Sequence, residues 1–158
     1  MLDGTFAEYR LRPERAGFSL LEVMVVVSIS TISLSIFTVA LVSLERGMAL
    51  RATSTQLLAD MRAMQNLACT SDVFAEVWLD PYDTGYRLIQ GTNTLEWDSL
   101  ALGVNYVDGY LQLPVHVISY DNLGNAQVGG VIRLTDGRHE DDVNLYLGAG
   151  WQTGGWFS

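Results

Sequence analysis

The chain has 158 residues, a formal net charge of −9, no lysine and a single cysteine, Cys69. This length suits one small domain plus a targeting segment. The acid excess leaves no basic footprint for phosphate, which argues against a nucleic-acid partner, and one cysteine excludes an intrachain disulfide.

Residues 1–17 read as a leader. Arg10, Arg12 and Arg15 balance Asp3, Glu8 and Glu14 there, so the whole acid excess, six arginines against 15 acids, belongs to residues 18–158. The leader ends in Gly17 and gives way to Phe18-Ser19-Leu20-Leu21-Glu22. Residues 23–44 then carry no formal charge, a run long enough at about 1.5 Å per helical residue to cross a ~30 Å hydrocarbon core. Arginine bias places the leader in the cytoplasm and exports the remainder, into a periplasm or outside the cell. A cleavable secretory signal would need a shorter apolar run followed by a small-residue site, whereas the small residue Gly17 precedes the run. Glu22 lies just inside the apolar edge. A charged, unpaired carboxylate costs roughly 2.5 kcal/mol or more at the bilayer centre and less toward the edge, so Glu22 is a functional candidate; the plainer reading is an acid at headgroup level.

A basic leader ending in glycine, then Phe-Ser-Leu-Leu-Glu and an uninterrupted apolar helix, resembles the class III signal of type IV pilins and pilin-like pseudopilins. The resemblance implies that a prepilin peptidase cuts between Gly17 and Phe18 and methylates Phe18. It also implies that Glu22 pairs with the terminal ammonium of a neighbouring subunit. The partners it implies are the prepilin peptidase, other pilins or pseudopilins through the N-terminal helix, and an inner-membrane assembly platform. Ser19 stands where threonine is commoner, and unlike many major pilins the apolar segment contains neither proline nor glycine.

Within the expected membrane helix (18–44), Ser28, Thr31, Ser35 and Thr38 fall in one stripe at intervals of 3, 4 and 3, and small residues let helices approach closely in lipid. The alternative is that such hydroxyls bond back to the preceding turn, as Ser30 and Ser33 off the stripe suggest. From Glu45 a second pattern begins: Leu50, Ser54, Leu57, Met61, Met64 and Ala68 recur at helical spacing, with Arg51, Asp60, Arg62 and Asn66 opposite. This predicts an amphipathic extension over 45–71, continuous with the anchor or broken at Gly47. Cys69 reads as a small buried hydrophobe near its end.

Residues 72–158 read as an antiparallel β domain. Period-2 alternation predicts a strand over 73–80 with Val73, Ala75, Val77 and Leu79 inward; a turn at Asp80-Pro81-Tyr82-Asp83-Thr84-Gly85 and a return over 86–90 make a hairpin closed by Gly91-Thr92-Asn93. Weak strands are expected at 104–107 and 111–113 around Asp108-Gly109. Better ones are expected at 115–121 and 128–135, and a last one has Val143, Leu145 and Leu147 inward. The tail 151–158 has no assignable structure. The expected fold class is α+β, a long N-terminal helix packed on an antiparallel sheet. The order of these elements, with Asp121-Asn122-Leu123-Gly124-Asn125 and Gly130-Val131-Ile132-Arg133-Leu134, is similar to the H-type minor pseudopilins of type II secretion, to competence pseudopilins and to related minor pilins.

No catalytic set emerges. His116, expected in a strand with Ile118 and Tyr120, and His139, in a charged loop, have no ligand or base partner at useful spacing. Asp136, Glu140, Asp141 and Asp142 are oxygen donors of the kind calcium takes, but their spacing is not that of an EF-hand; a solvated turn guarding a sheet edge is the preferred reading. Trp151 and Trp156 could stack on a sugar or a partner, or fold back on the sheet. No cofactor is expected. Two functions stand: a non-enzymatic pilin-like structural subunit, which the Gly17 to Glu22 order favours, or a membrane-tethered binding domain, adhesin-like, that never polymerises.

Overall fold

The computed structural model describes residues 18–107 and 116–156. The leader with Gly17, the turn at Asp108-Gly109 and the strand expected over 111–113 lie outside the described residues. The chain divides into two compact units, with the boundary between Ala40 and Leu41.

Helix α1 (Leu20–Ser71) is one helix of 52 residues. Gly47 does not break it, although glycine costs about 1 kcal/mol relative to alanine in a helix interior, so the two-helix alternative is set aside. The helix stops where Asp72 takes a left-handed φ of 55°, a conformation that ends helices and that Asp tolerates better than most residues. Asn122 Nδ2 donates to Asp72 Oδ1 at 2.8 Å and holds that turn. In the first unit every residue from Leu20 to Ala40 is exposed, and the helix is long and apolar enough to cross a membrane, with a mean hydropathy of 2.3 over its most apolar window.

In the second unit the remaining part of α1 packs on antiparallel strands. These are β1 (Ala75–Leu79), β2 (Gly85–Gln90), β3 (Asn93–Ser99), β4 (Asn105–Val107), β5 (Val117–Tyr120), β6 (Gly130–Thr135), β7 (Glu140–Leu145) and β8 (Gln152–Trp156). They form two four-stranded sheets, β3-β2-β1-β5 and β4-β6-β7-β8. Ala126 links them by bridging to Tyr120 on one side and Gly148 on the other. Leu50, Leu57, Met61, Met64 and Ala68 of α1 are buried in one cluster with Val77, Leu79, Ile118, Tyr120, Ile132, Leu134 and Val143 from both sheets. The fold is therefore the α+β, pilin-like architecture expected, with two sheets in place of one.

Several local expectations are corrected. Strand β3 pairs with β2 and continues directly from the expected close at Gly91-Thr92-Asn93, over residues for which no strand is expected; its side chains are almost all exposed, so no inward-facing period marks it. The tail contributes β8, paired with β7. Val73 and Leu147 are exposed rather than inward, because pairing starts at Ala75 and ends at Leu145. His116 precedes β5 with a φ of 53°. Cys69 is exposed, although its sulfur sits so close to Gly124, itself at φ 77°, that a Cβ there would lie 2.5 Å away.

Burial of the helix stripe yields a stability test. A fragment of residues 45–158 should fold, and Leu57→Ala in it should lower the unfolding free energy by about 3 kcal/mol, the usual cost of emptying a well-packed leucine site. Chemical denaturation of the two fragments measures this; a loss below about 1 kcal/mol would remove the helix from the core.

Candidate functional site

The first turn of α1 is built by Ser19. Its hydroxyl accepts from the Leu21 amide at 3.3 Å and its carbonyl from the Val23 amide at 3.1 Å, so Ser19 is the N-cap, a position that favours serine. Phe18 then stands just outside the helix and is exposed. Glu22 falls in the first turn, at the third helical position, where the helix dipole favours an acid by about 0.3–1 kcal/mol. Ser19 and Glu22 have capping-box spacing, yet Glu22 has no hydrogen bond or ion pair to another described residue. Glu22 is exposed, four residues after Phe18.

The stripe hydroxyls are satisfied within the helix. Ser28 donates to the Met24 carbonyl at 2.8 Å, Thr31 to Ser28 at 2.8 Å, Ser35 to Thr31 at 2.9 Å and Thr38 to Leu34 at 2.9 Å. Ser30, off the stripe, does the same to Val26. With the hydroxyls turned back, what the stripe offers a neighbouring helix is small volume.

The four acids considered for calcium do not converge. Asp136 caps its own turn, accepting from the Arg138 and His139 amides and from His139 Nδ1. Burial would raise its carboxyl, but the His139 side chain and these amides outweigh it and hold it at about 2. Asp142 takes a two-pronged pair with Arg133, at 2.7 and 2.8 Å, and Glu140 pairs with the same guanidinium at 3.0 Å. Asp141 points to the helix and accepts from the Ser54 hydroxyl. Among the described residues no group of three or more potential metal ligands is assembled. The solvated turn is corrected as well: Asp141 and Asp142 are buried in β7, which pairs on both edges.

The polar face of α1 is likewise used. Asp60, read as solvent-facing, accepts from the buried Tyr86 hydroxyl. Burial, reinforced by Asp60, pushes that phenol up, so it remains a donor. His116 lies edge-on to Tyr106, 6.1 Å between ring centroids. Trp151 does not fold back on the sheet; it is 74% exposed. Of Trp156 only the backbone, in β8, is described. Among these contacts only Ser54, a polar residue inside an apolar stripe, signals in sequence that a buried partner waits.

Residues 12–38 match the prokaryotic N-terminal methylation motif. No curated protein and no solved structure matches the chain. The motif, which covers the leader junction and most of the apolar run, supports a type IV pilin-like signal at the start of the chain. Together with the apolar helix it fits a membrane-anchored, generally non-enzymatic family.

Asp141 gives rise to a pH prediction. Burial, then the Asp142 charge, raise its carboxyl above the ordinary range despite the Ser54 bond and Arg51. A carboxyl raised on folding disfavours the folded state while ionised, and that penalty is relieved as pH falls through the raised value toward the unfolded one. Asp141→Asn should therefore gain stability relative to the parent on going from pH 3 to pH 7, measured by thermal unfolding at both. An unchanged difference would place the carboxylate in an environment as favourable as water.

Proposed function

We propose that the chain is a minor pseudopilin or minor pilin-like subunit, built through its N-terminal helix into a short type IV pilus-like filament of a type II secretion or DNA-uptake machine. The observation that carries this reading is the junction from Gly17 to Glu22, set inside the matched methylation motif. A tether needs a membrane helix only; it needs neither a glycine before the helix nor an acid four residues beyond the new terminus.

In this reading the leader lies in the cytoplasm and residues 45–158 on the far side of the membrane. Cleavage after Gly17 frees the Phe18 ammonium. A neighbour displaced along the helix axis brings its own ammonium to Glu22 within the apolar layer, where an unpaired carboxylate is costly and a paired one much less so. Pairing thus gives assembly both a driving force and a register. Ser28, Thr31, Ser35 and Thr38 form the face along which neighbouring helices approach. The acid-rich exported domain does not bind nucleic acid directly.

Mass spectrometry of protein extracted from membranes should find the amino terminus at Phe18, methylated, and a bulky substitution of Gly17 should leave an inserted, uncut precursor. A mature terminus at Met1, or beyond Leu44, would reject pilin-type processing.

Glu22→Gln keeps shape, insertion and most of the helix start while removing the charge. It should leave cleavage and membrane level normal, with cross-linking to partner subunits reduced and Glu22→Asp intermediate. Full cross-linking by Glu22→Gln would end the pairing role.

A further inference from the structure

The turn joining β7 to β8 is unusually well held. The Tyr146 amide donates to the Trp151 carbonyl at 2.9 Å, and Ala126 and Gly148 exchange backbone bonds at 2.8 and 3.2 Å. From the helix, Gln65 Nε2 donates to the Gly124 carbonyl at 2.8 Å and the Ala149 carbonyl at 3.1 Å. Gly150 has a φ of 62°, and a Cβ there would lie 2.6 Å from Gln65 Nε2 and 2.9 Å from the Gly124 oxygen. Only glycine lets the turn close on the helix in this way.

That fixed turn presents an exposed indole. Trp151 stands at an open pocket of about 380 Å³, lined with it by Arg62, Gln65, Ala149, Gly150 and Gln152. The volume lies within the roughly 300–1,000 Å³ of small-ligand sites. Gln152 is 2% exposed; its Nε2 donates to the Tyr120 hydroxyl at 2.7 Å and, at 3.4 Å, to Gln65 Oε1, which ties the turn to the helix from below the pocket. Among the described residues Arg62 reaches only the Gln152 carbonyl, at 3.4 Å, the long limit of a hydrogen bond, so its guanidinium can take a further acceptor.

The lining is one large aromatic face with two amides and a guanidinium. An apolar or acyl ligand laid across the pocket would take water from the Arg62 guanidinium without replacing its hydrogen bonds, at a cost. A pyranose matches the indole and the guanidinium together, because one ring face is C–H and lies flat on an indole, while its hydroxyls accept from a guanidinium and can donate to the Gln65 amide oxygen, which has a second lone pair to spare. We propose that this pocket binds a pyranose unit of a glycan, the ring stacked on Trp151 and its hydroxyls held by the Arg62 guanidinium and the Gln65 amide oxygen. Because the turn is already fixed, little ordering cost falls on binding. The site does not depend on filament assembly.

The test uses the full chain in a detergent without a sugar headgroup, applied to an array of neutral and acidic pyranosides. The best monosaccharide bound is then titrated by calorimetry. Saturable binding is expected, weakened roughly tenfold or more by Trp151→Ala, less by Trp151→Phe, and also weakened by Arg62→Ala. Unfolding temperatures of the variants establish that the fold is kept; should Trp151→Ala lose it, Arg62→Ala decides. Retention of no glycan, or binding untouched by these substitutions, overturns the proposal.

Discussion

The rest of the structure depends on a change in what surrounds a single helix. Over its first half α1 exposes apolar side chains all round, and no formal charge interrupts residues 23–44; such a surface calls for lipid or other helices about it. Over its second half only one stripe is apolar, and that stripe is consumed by the two sheets. The sheets in turn have no other helix to cover them among the described residues. Each half of the helix thus belongs to a different solvent problem, and the compact-unit boundary between Ala40 and Leu41 falls close to where the problem changes.

How much of this can be read from the residues depends on whether the signal is local. Helical period is local, so Leu50, Leu57, Met61, Met64 and Ala68 are recognisable as core and are buried. Strand limits are set by partners distant in sequence, so Val73 and Leu147 have the pattern of core residues and yet are exposed. Strand β3 lies at a sheet edge with nearly every residue exposed, which removes the alternation that reveals a half-buried strand. Gln152-Thr153-Gly154-Gly155-Trp156 has poor strand propensity and is held by its pairing to β7. Four acids between residues 136 and 142 suggest a solvated loop because the partners of two of them are not local in the pattern: Arg133, which pairs with Glu140 and Asp142, sits on the facing strand directly opposite Asp142, where an opposite charge stabilises the pair.

The candidate functional positions divide in the same way. The proposed processing junction is a linear word, legible between Arg10 and Glu22; the fold adds Ser19 as the cap that begins the helix at that point. The Trp151 pocket is the opposite case. It joins helix residues 62 and 65 to turn residues 149–152, and nothing in either stretch names the other. Glycines at 148, 150 and 154 suggest a loose tail, whereas two of them, with φ of 84° and 62°, are what allow the turn to close.

The polar contacts of α1 have a consequence for sliding. A stripe of leucine and methionine at three- and four-residue intervals would bury nearly as much surface if the helix moved one turn along its axis, because Leu57, Met61 and Met64 can replace one another with modest loss. The polar partners cannot. Ser54 meets Asp141, Asp60 meets Tyr86, and Gln65 meets the Gly124 and Ala149 carbonyls, on separate elements and at unequal steps along the helix. A displacement of one turn unmatches all of them together and leaves buried polar atoms without partners. They act as the graduations of a vernier: the apolar stripe supplies adhesion that is nearly indifferent to position, and these few bonds select one position. Tension drawn along the helix axis would load them side by side, in shear, so the helix would resist being pulled out of its domain more than being peeled from it.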